Sequence, residues 1–230
     1  MDKHIIAIGG GGFGRSIGDL KIENYIKSIC KSKNPNICFL PTATGDNDSY
    51  KVNFYSAFSK LNCNPTHIDL FKRTIDIEEH IIKQDIIYVG GGNTKSMLAV
   101  WRDWGLDLIL RKAYNSGVIM SGVSAGAICW FSKGITDSWK DNLAIIECLG
   151  FVNGVCCPHY DEEENRVPYL RTVLKDQLIN SCIAIDGNCA LHIKNGTPFI
   201  SVRFSSKKNT YLVSLDQGKL KNIPYNSKTL

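Results

Sequence analysis

Apolar runs of strand length that alternate with segments of helical period constrain this chain more than any other feature. Residues 4–8 form the first run. A glycine loop follows, then a segment whose apolar positions Ile22, Tyr25, Ile26 and Ile29 share one helical face. Residues 37–40 and 66–70 are expected as the second and third strands, with a helix over 50–61 between them and a short helix over 75–82 behind. Residues 86–89 and 117–120 supply the fourth and fifth. Between these two, Met97, Leu98, Val100, Trp101 and Trp104 mark a helical stretch broken at Gly105. Strands alternating with helices require right-handed crossovers, and so a doubly wound, mostly parallel α/β sheet. Such a sheet binds ligands beyond the carboxyl ends of its strands. The last fifty or so residues change character. Residues 183–185, 189–193, 199–204 and 211–215 read as short antiparallel strands, with a hairpin signal at Asn195-Gly196. They are expected to extend the same sheet, so that residues 1–230 form one domain.

Composition narrows the partners. A chain of 230 residues, 43% of them hydrophobic, can bury a full core. It has no apolar stretch near the roughly 18 residues that span a membrane. Its start has too short an apolar run before the glycines for a secretory signal, so a cytoplasmic location is expected. The nine cysteines are scattered, odd in number and without a C-x-x-C pair, which argues against a disulfide framework or a zinc site. Cys129 lies one helical turn past a serine of interest and is expected to face the core. The net charge is +5, but the lysines are dispersed and form no basic stripe with aromatics, so nucleic acid is not an expected partner. The oligomeric state is not legible.

That serine lies in SGVSAGAICWF, residues 121–131, where Gly122-x-Ser124-x-Gly126 fits the nucleophile-elbow pattern. A short strand before it and a helix beginning over 125–131 would turn the chain sharply at Ser124. That turn would project the hydroxyl outward and bring the Ala125 amide near a developing oxyanion. A tight packing turn is the alternative. A serine needs a base, and a base needs an orienting acid. His4, His67, His80 and His192 fall in strands or on a polar helix. His159 instead follows Cys157-Pro158 and opens a polar run, a strand end where an α/β sheet presents catalytic groups. It is expected within hydrogen-bonding reach of Ser124. For the acid, Asp137 is preferred, 13 residues after the serine (137 − 124) and in a turn setting; Asp161 and Asp141 remain open.

The second glycine loop, Gly90-Gly91-Gly92-Asn93-Thr94, can be a strand-to-helix turn capped by Thr94. Its glycines also allow a backbone amide close to a substrate oxygen, which makes Gly91 and Gly92, with Ala125, oxyanion candidates and Asn93 a candidate substrate contact. The first loop, Gly9-x-Gly11-x-x-Gly14, formally matches a dinucleotide fingerprint. Strand two, however, ends Phe39-Leu40-Pro41-Thr42 without the acidic residue that fingerprint needs. No cofactor and no metal are expected.

YVGGGNT, GVSAGA and CPHYD, in this order, resemble the peptidase family that contains dipeptidase E and cyanophycinase, over roughly residues 4–204. The resemblance implies a flavodoxin-like α/β fold related to class I glutamine amidotransferases. It also implies a metal-free mechanism with a serine nucleophile at Ser124 and a histidine base at His159. The acid maps to Asp137 across a gap, and an oxyanion donor to Gly92. Dipeptidase E removes an amino-terminal aspartate from dipeptides, and an arginine after its histidine helps hold the aspartate side chain. Arg166 is the nearest candidate here and Arg171 the next. The acidic run 161–164 would bind the substrate amine or stay solvated. Three rival readings stand beside this one: a cyanophycinase-like isoaspartyl hydrolase, an α/β-hydrolase esterase using His192, and a non-catalytic binding module.

Overall fold

A computed structural model describes residues 2–15, 18–139 and 142–230 of the chain. Its main sheet has eight strands. The parallel part comprises β1 (His4–Ile8), β2 (Asn36–Leu40), β3 (Asn64–His67), β4 (Ile86–Val89) and β5 (Ile119–Val123). They lie side by side in the order β1-β5-β4-β2-β3. Side chains alternate along β1: Ile5 and Ala7 face one core, Ile6 and Ile8 the other. Helices α1 (Lys21–Ile29) and α2 (Asp48–Lys60) cover the second face through Ile22, Ile26, Phe54 and Phe58. Helices α3 (Ile77–Ile82), α4 (Thr94–Asp103) and α5 (Leu106–Asn115) cover the first. Gly105, at φ 67°, makes the expected break between α4 and α5. The fold is the doubly wound α/β arrangement that the alternation implies, flavodoxin-like as the family resemblance implies.

The later strands divide in two. β10 (Cys189–Lys194) and β11 (Thr197–Arg203) pair antiparallel on the free edge of β1, as an extension of the main sheet, with β14 (Ser227–Thr229) outermost. A second, six-stranded sheet takes the rest. It runs β13-β12-β9-β8-β6-β7, built from β6 (Phe131–Thr136), β7 (Ala144–Glu147), β8 (Val152–Cys157), β9 (Cys182–Ile185), β12 (Thr210–Asp216) and β13 (Lys219–Pro224). Two of the strands expected in the main sheet, β9 and β12, therefore belong elsewhere: β8 pairs with β9 and draws that strand off. Helix α7 (Arg166–Lys175) packs Leu170, Val173 and Leu174 against this second sheet.

Between the two sheets sits α6 (Ala125–Ile128), a helix of four residues rather than the longer one expected, because the chain re-enters a strand at Phe131. Its approach to the main sheet leaves no room for side chains. A Cβ on Gly126 would lie 2.2 Å from the Val89 carbonyl oxygen, and one on Gly122 would lie 2.4 Å from the Gly126 carbonyl oxygen. The third strand also stops early, at His67. The amides of Leu70 and Phe71 turn away to the Asp46 carboxylate, at 2.5 and 2.9 Å. Among the described residues no helix is long and apolar enough to cross a membrane. Replacing Gly126 by alanine should force α6 off the sheet and lower the unfolding free energy by roughly 1–3 kcal/mol. The urea midpoint measures this, and an unchanged midpoint would show that the close approach is dispensable.

Candidate active site

The carboxyl ends of β1, β5, β4 and β2 converge on one rim, where β8 also ends. Ser124 follows β5 directly, with φ 57° and ψ −111°, a conformation that L side chains rarely adopt. Holding a residue there costs about 1–3 kcal/mol and persists only where the surroundings over-determine it. They do so here. The Ser124 amide donates to Ile8 O at 3.0 Å, and its carbonyl accepts from Ala127 N at 2.9 Å and Ile128 N at 3.0 Å.

His159, which is buried, also sits at a strained turn. It sits just past β8 at φ 52°, and its amide donates to Gly9 O at 3.1 Å. Its carbonyl accepts from Glu162 N and Glu163 N at 3.1 and 3.2 Å, so the chain curls back on itself. That curl brings the Glu162 carboxylate onto the imidazole, with Nδ1 to Oε2 at 2.6 Å. The same oxygen accepts from Arg15 Nη1 at 2.8 Å. Burial pushes the Glu162 carboxyl up, but the hydrogen bonds and charges of His159 and Arg15 outweigh it and hold the group below its ordinary range. Glu162 therefore remains an ionised acceptor at neutral pH. It keeps Nδ1 of His159 as the donor nitrogen and leaves Nε2 for other work.

Ser124 and His159 line one cavity of about 450 Å³, walled also by Gly91, Gly92, Tyr50 and Arg15. That volume lies within the roughly 300–1,000 Å³ of small-ligand sites. Asn47, Ser49 and Asn53 add a polar, uncharged side from α2 and the turn before it. The Gly91 amide reaches Tyr50 Oη only at a long 3.4 Å. Among the described residues the amides of Gly92 and Ala125 donate to no protein acceptor. No hydrogen bond joins Ser124 to His159 among those residues either, a looser pairing than expected; such bonds commonly tighten only around substrate. A larger groove of about 660 Å³ beside α3 and α5 has no serine, cysteine or histidine among its described lining.

The family model of peptidase family S51 matches residues 5–200. The chain belongs to peptidase family S51. It is 43% identical over 229 residues to the peptidase YgaJ of Bacillus subtilis (strain 168), covering 99% of each chain. Two solved structures share the fold. A candidate peptidase E protein from Listeria monocytogenes EGD-e superposes with a TM-score of 0.67 at 19% identity, over 89% of this chain and 100% of that one. A peptidase from an acI-B1 actinobacterium gives 0.67 at 17% identity, over 99% and 95%.

Within this S51 fold, several residues expected at the site are occupied elsewhere. Asp137 is exposed beyond β6, in a segment tied to α4 by Thr136 and Ser138, and Nδ1 of His159 is taken by Glu162 instead. Asp161 accepts from the Gly187 amide at 2.8 Å and pairs with Lys208, while Asp141 lies outside the described residues. Asn93, not Thr94, caps α4: its side chain accepts from Ser96 N at 2.8 Å and donates to Ser138 O at 3.2 Å. His192 is buried on β10 between Tyr25 Oη and His4 Nδ1, at 2.7 and 2.9 Å, and burial with nearby cations lowers its pKa to about 4. Both its ring nitrogens are engaged, so the esterase reading has no base there. Cys129 is fully buried, and burial pushes its thiol well above the ordinary range.

Arg166 is the clearest departure. It is 2% exposed, donates from Nε to Glu163 at 2.8 Å and from Nη1 to Ile135 O at 2.9 Å, and pins the start of α7 to β6. Arg171, further along α7, is exposed and does not line the cavity. The cation that does is Arg15, from the first glycine loop. Arg166→Ala should therefore cost about 1–3 kcal/mol of stability by stranding the buried Ile135 carbonyl and leaving the half-buried Glu163 unpaired. It should shift KM equally for acidic and neutral dipeptides; a selective loss on acidic ones, measured beside a denaturation curve, would return Arg166 to substrate recognition.

Proposed function

We propose that this S51 peptidase is a serine-type enzyme that cleaves short peptides, preferably dipeptides with an amino-terminal aspartate, through an acyl-enzyme. One observation carries the reading: a strained Ser124 shares a cavity with a histidine whose Nδ1 is held by a carboxylate 2.6 Å away. Nε2 of His159 takes the proton from Ser124 Oγ as the oxygen attacks the peptide carbonyl. Glu162 keeps Nδ1 protonated and stabilises the imidazolium that forms, the role of the acid in a serine triad. The amides of Ala125 and of Gly92 or Gly91 meet the carbonyl oxygen as it becomes negative. Each such donor contributes about 2.7–4 kcal/mol to transition-state stabilisation. His159 then returns its proton to the departing amine, and water resolves the ester by the same steps in reverse.

The small volume supports short substrates, and the aspartyl preference follows the family resemblance together with a cation on the cavity wall. Steady-state hydrolysis of Asp-Leu separates the roles. Ser124→Ala should abolish turnover with little change in thermal stability. Glu162→Gln should lower kcat by about 10²–10⁴-fold, as a triad loses when its acid can no longer fix the tautomer. Asp137→Asn should leave kcat near that of the wild type. A large loss in Asp137→Asn with a silent Glu162→Gln would restore Asp137 as the third member.

A further inference from the structure

Among the described residues lining the cavity, Arg15 is the one permanently charged side chain. It is also bound to the triad. Its Nη1 lies 2.8 Å from Glu162 Oε2, the same oxygen that receives Nδ1 of His159 at 2.6 Å. One carboxylate oxygen thus serves two donors at once. The Arg15 side chain is 55% exposed, so it can exchange its partner without leaving a buried charge unpaired. The three other carboxylates of the acidic run do not compete for it: Asp161 is held by Gly187 and Lys208, Glu163 by Arg166, and Glu164 makes no ion pair among the described residues.

A guanidinium at the mouth of a site walled by neutral polar groups recognises a carboxylate through its planar fork of donors. A second anion arriving there would share Arg15 with Glu162 or draw it away. In either case Glu162 is left more completely to His159. On the serine-peptidase reading above, we infer that Arg15 is the residue through which a substrate carboxylate is recognised, and that this recognition strengthens the hold of Glu162 on the base. Preference for acidic substrates then appears in kcat as well as in KM. A cation that served only as an anchor, remote from the triad, would change KM alone.

The carboxylate can come from an aspartyl side chain or from the peptide's carboxyl terminus, and four substrates separate the two: Asp-Leu, Asp-Leu amide, Ala-Leu and Ala-Leu amide. Wild type, Arg15→Gln and Arg15→Lys are compared by the ratio of kcat/KM between each carboxylate-bearing peptide and its partner lacking it. In Arg15→Gln the ratio should fall on the order of tenfold, with the kcat gap closing alongside the KM gap. Arg15→Lys, which keeps the charge without the fork, should recover part of it. A fall that persists in the amides assigns the side chain, and one confined to free acids assigns the carboxyl terminus. Equal ratios in wild type and Arg15→Gln overturn the inference, as does a change in KM alone. Ser124→Ala is run beside them: activity surviving there, or a wild type inert on all four peptides, would instead sink the serine-peptidase reading itself.

Discussion

The Val89 carbonyl and the Gly126 Cα approach so closely that no side chain fits between α6 and the main sheet. Everything at the rim depends on this contact. With α6 pressed against β4 and β5, the chain has no slack to leave β5 gradually. It must turn within one residue, and that residue is Ser124 at φ 57°. The strain is carried by backbone hydrogen bonds to β1 on one side and into α6 on the other. A Ser124 placed on the cavity wall is the geometric consequence. For the same reason the neighbouring Ala125 amide has no acceptor among the described residues.

β1 extends that constraint to His159. Ile8 O holds Ser124 and Gly9 O holds His159, so adjacent carbonyls at one strand end fix the two residues relative to each other. Gly10 is what allows the ring and its carboxylate to lie across this strand end. A Cβ there would come within 2.6 Å of Glu162 Oε2 and 2.9 Å of His159 Nδ1. The first glycine loop, which resembles a nucleotide cradle on paper, is a platform for the His159–Glu162 pair and the origin of Arg15.

Central strands of the parallel half, β1, β2 and β4, were legible because they are buried on both faces and read as apolar runs, whereas β3, a half-exposed edge strand of sequence NPTH, was placed two residues late. Strands β6, β7 and β8 were not legible. Ser132 and Lys133 interrupt β6, Asn153 and Gly154 interrupt β8 where the second sheet meets solvent, and β7 is only four residues long. Ser124 and His159 were legible from local chemistry: small residues around a serine, and a proline ending a strand before a histidine. Glu162 was not, because an extended loop would have aimed its carboxylate away from the ring. Only the left-handed turn at His159 brings residues 159 and 162 together. Arg15 stayed hidden because a glycine loop carries no periodicity that says which way its one long side chain goes.

The central claim is that the strained turn makes Ser124 a nucleophile served by His159. Intact-protein mass spectrometry after treatment with a small fluorophosphonate, followed by peptide mapping, tests it most directly. One adduct on Ser124, absent from Ser124→Ala and formed far more slowly by His159→Ala, is the expected result. An unlabelled Ser124 in a folded protein that hydrolyses peptides, or labelling as fast without His159, would contradict it.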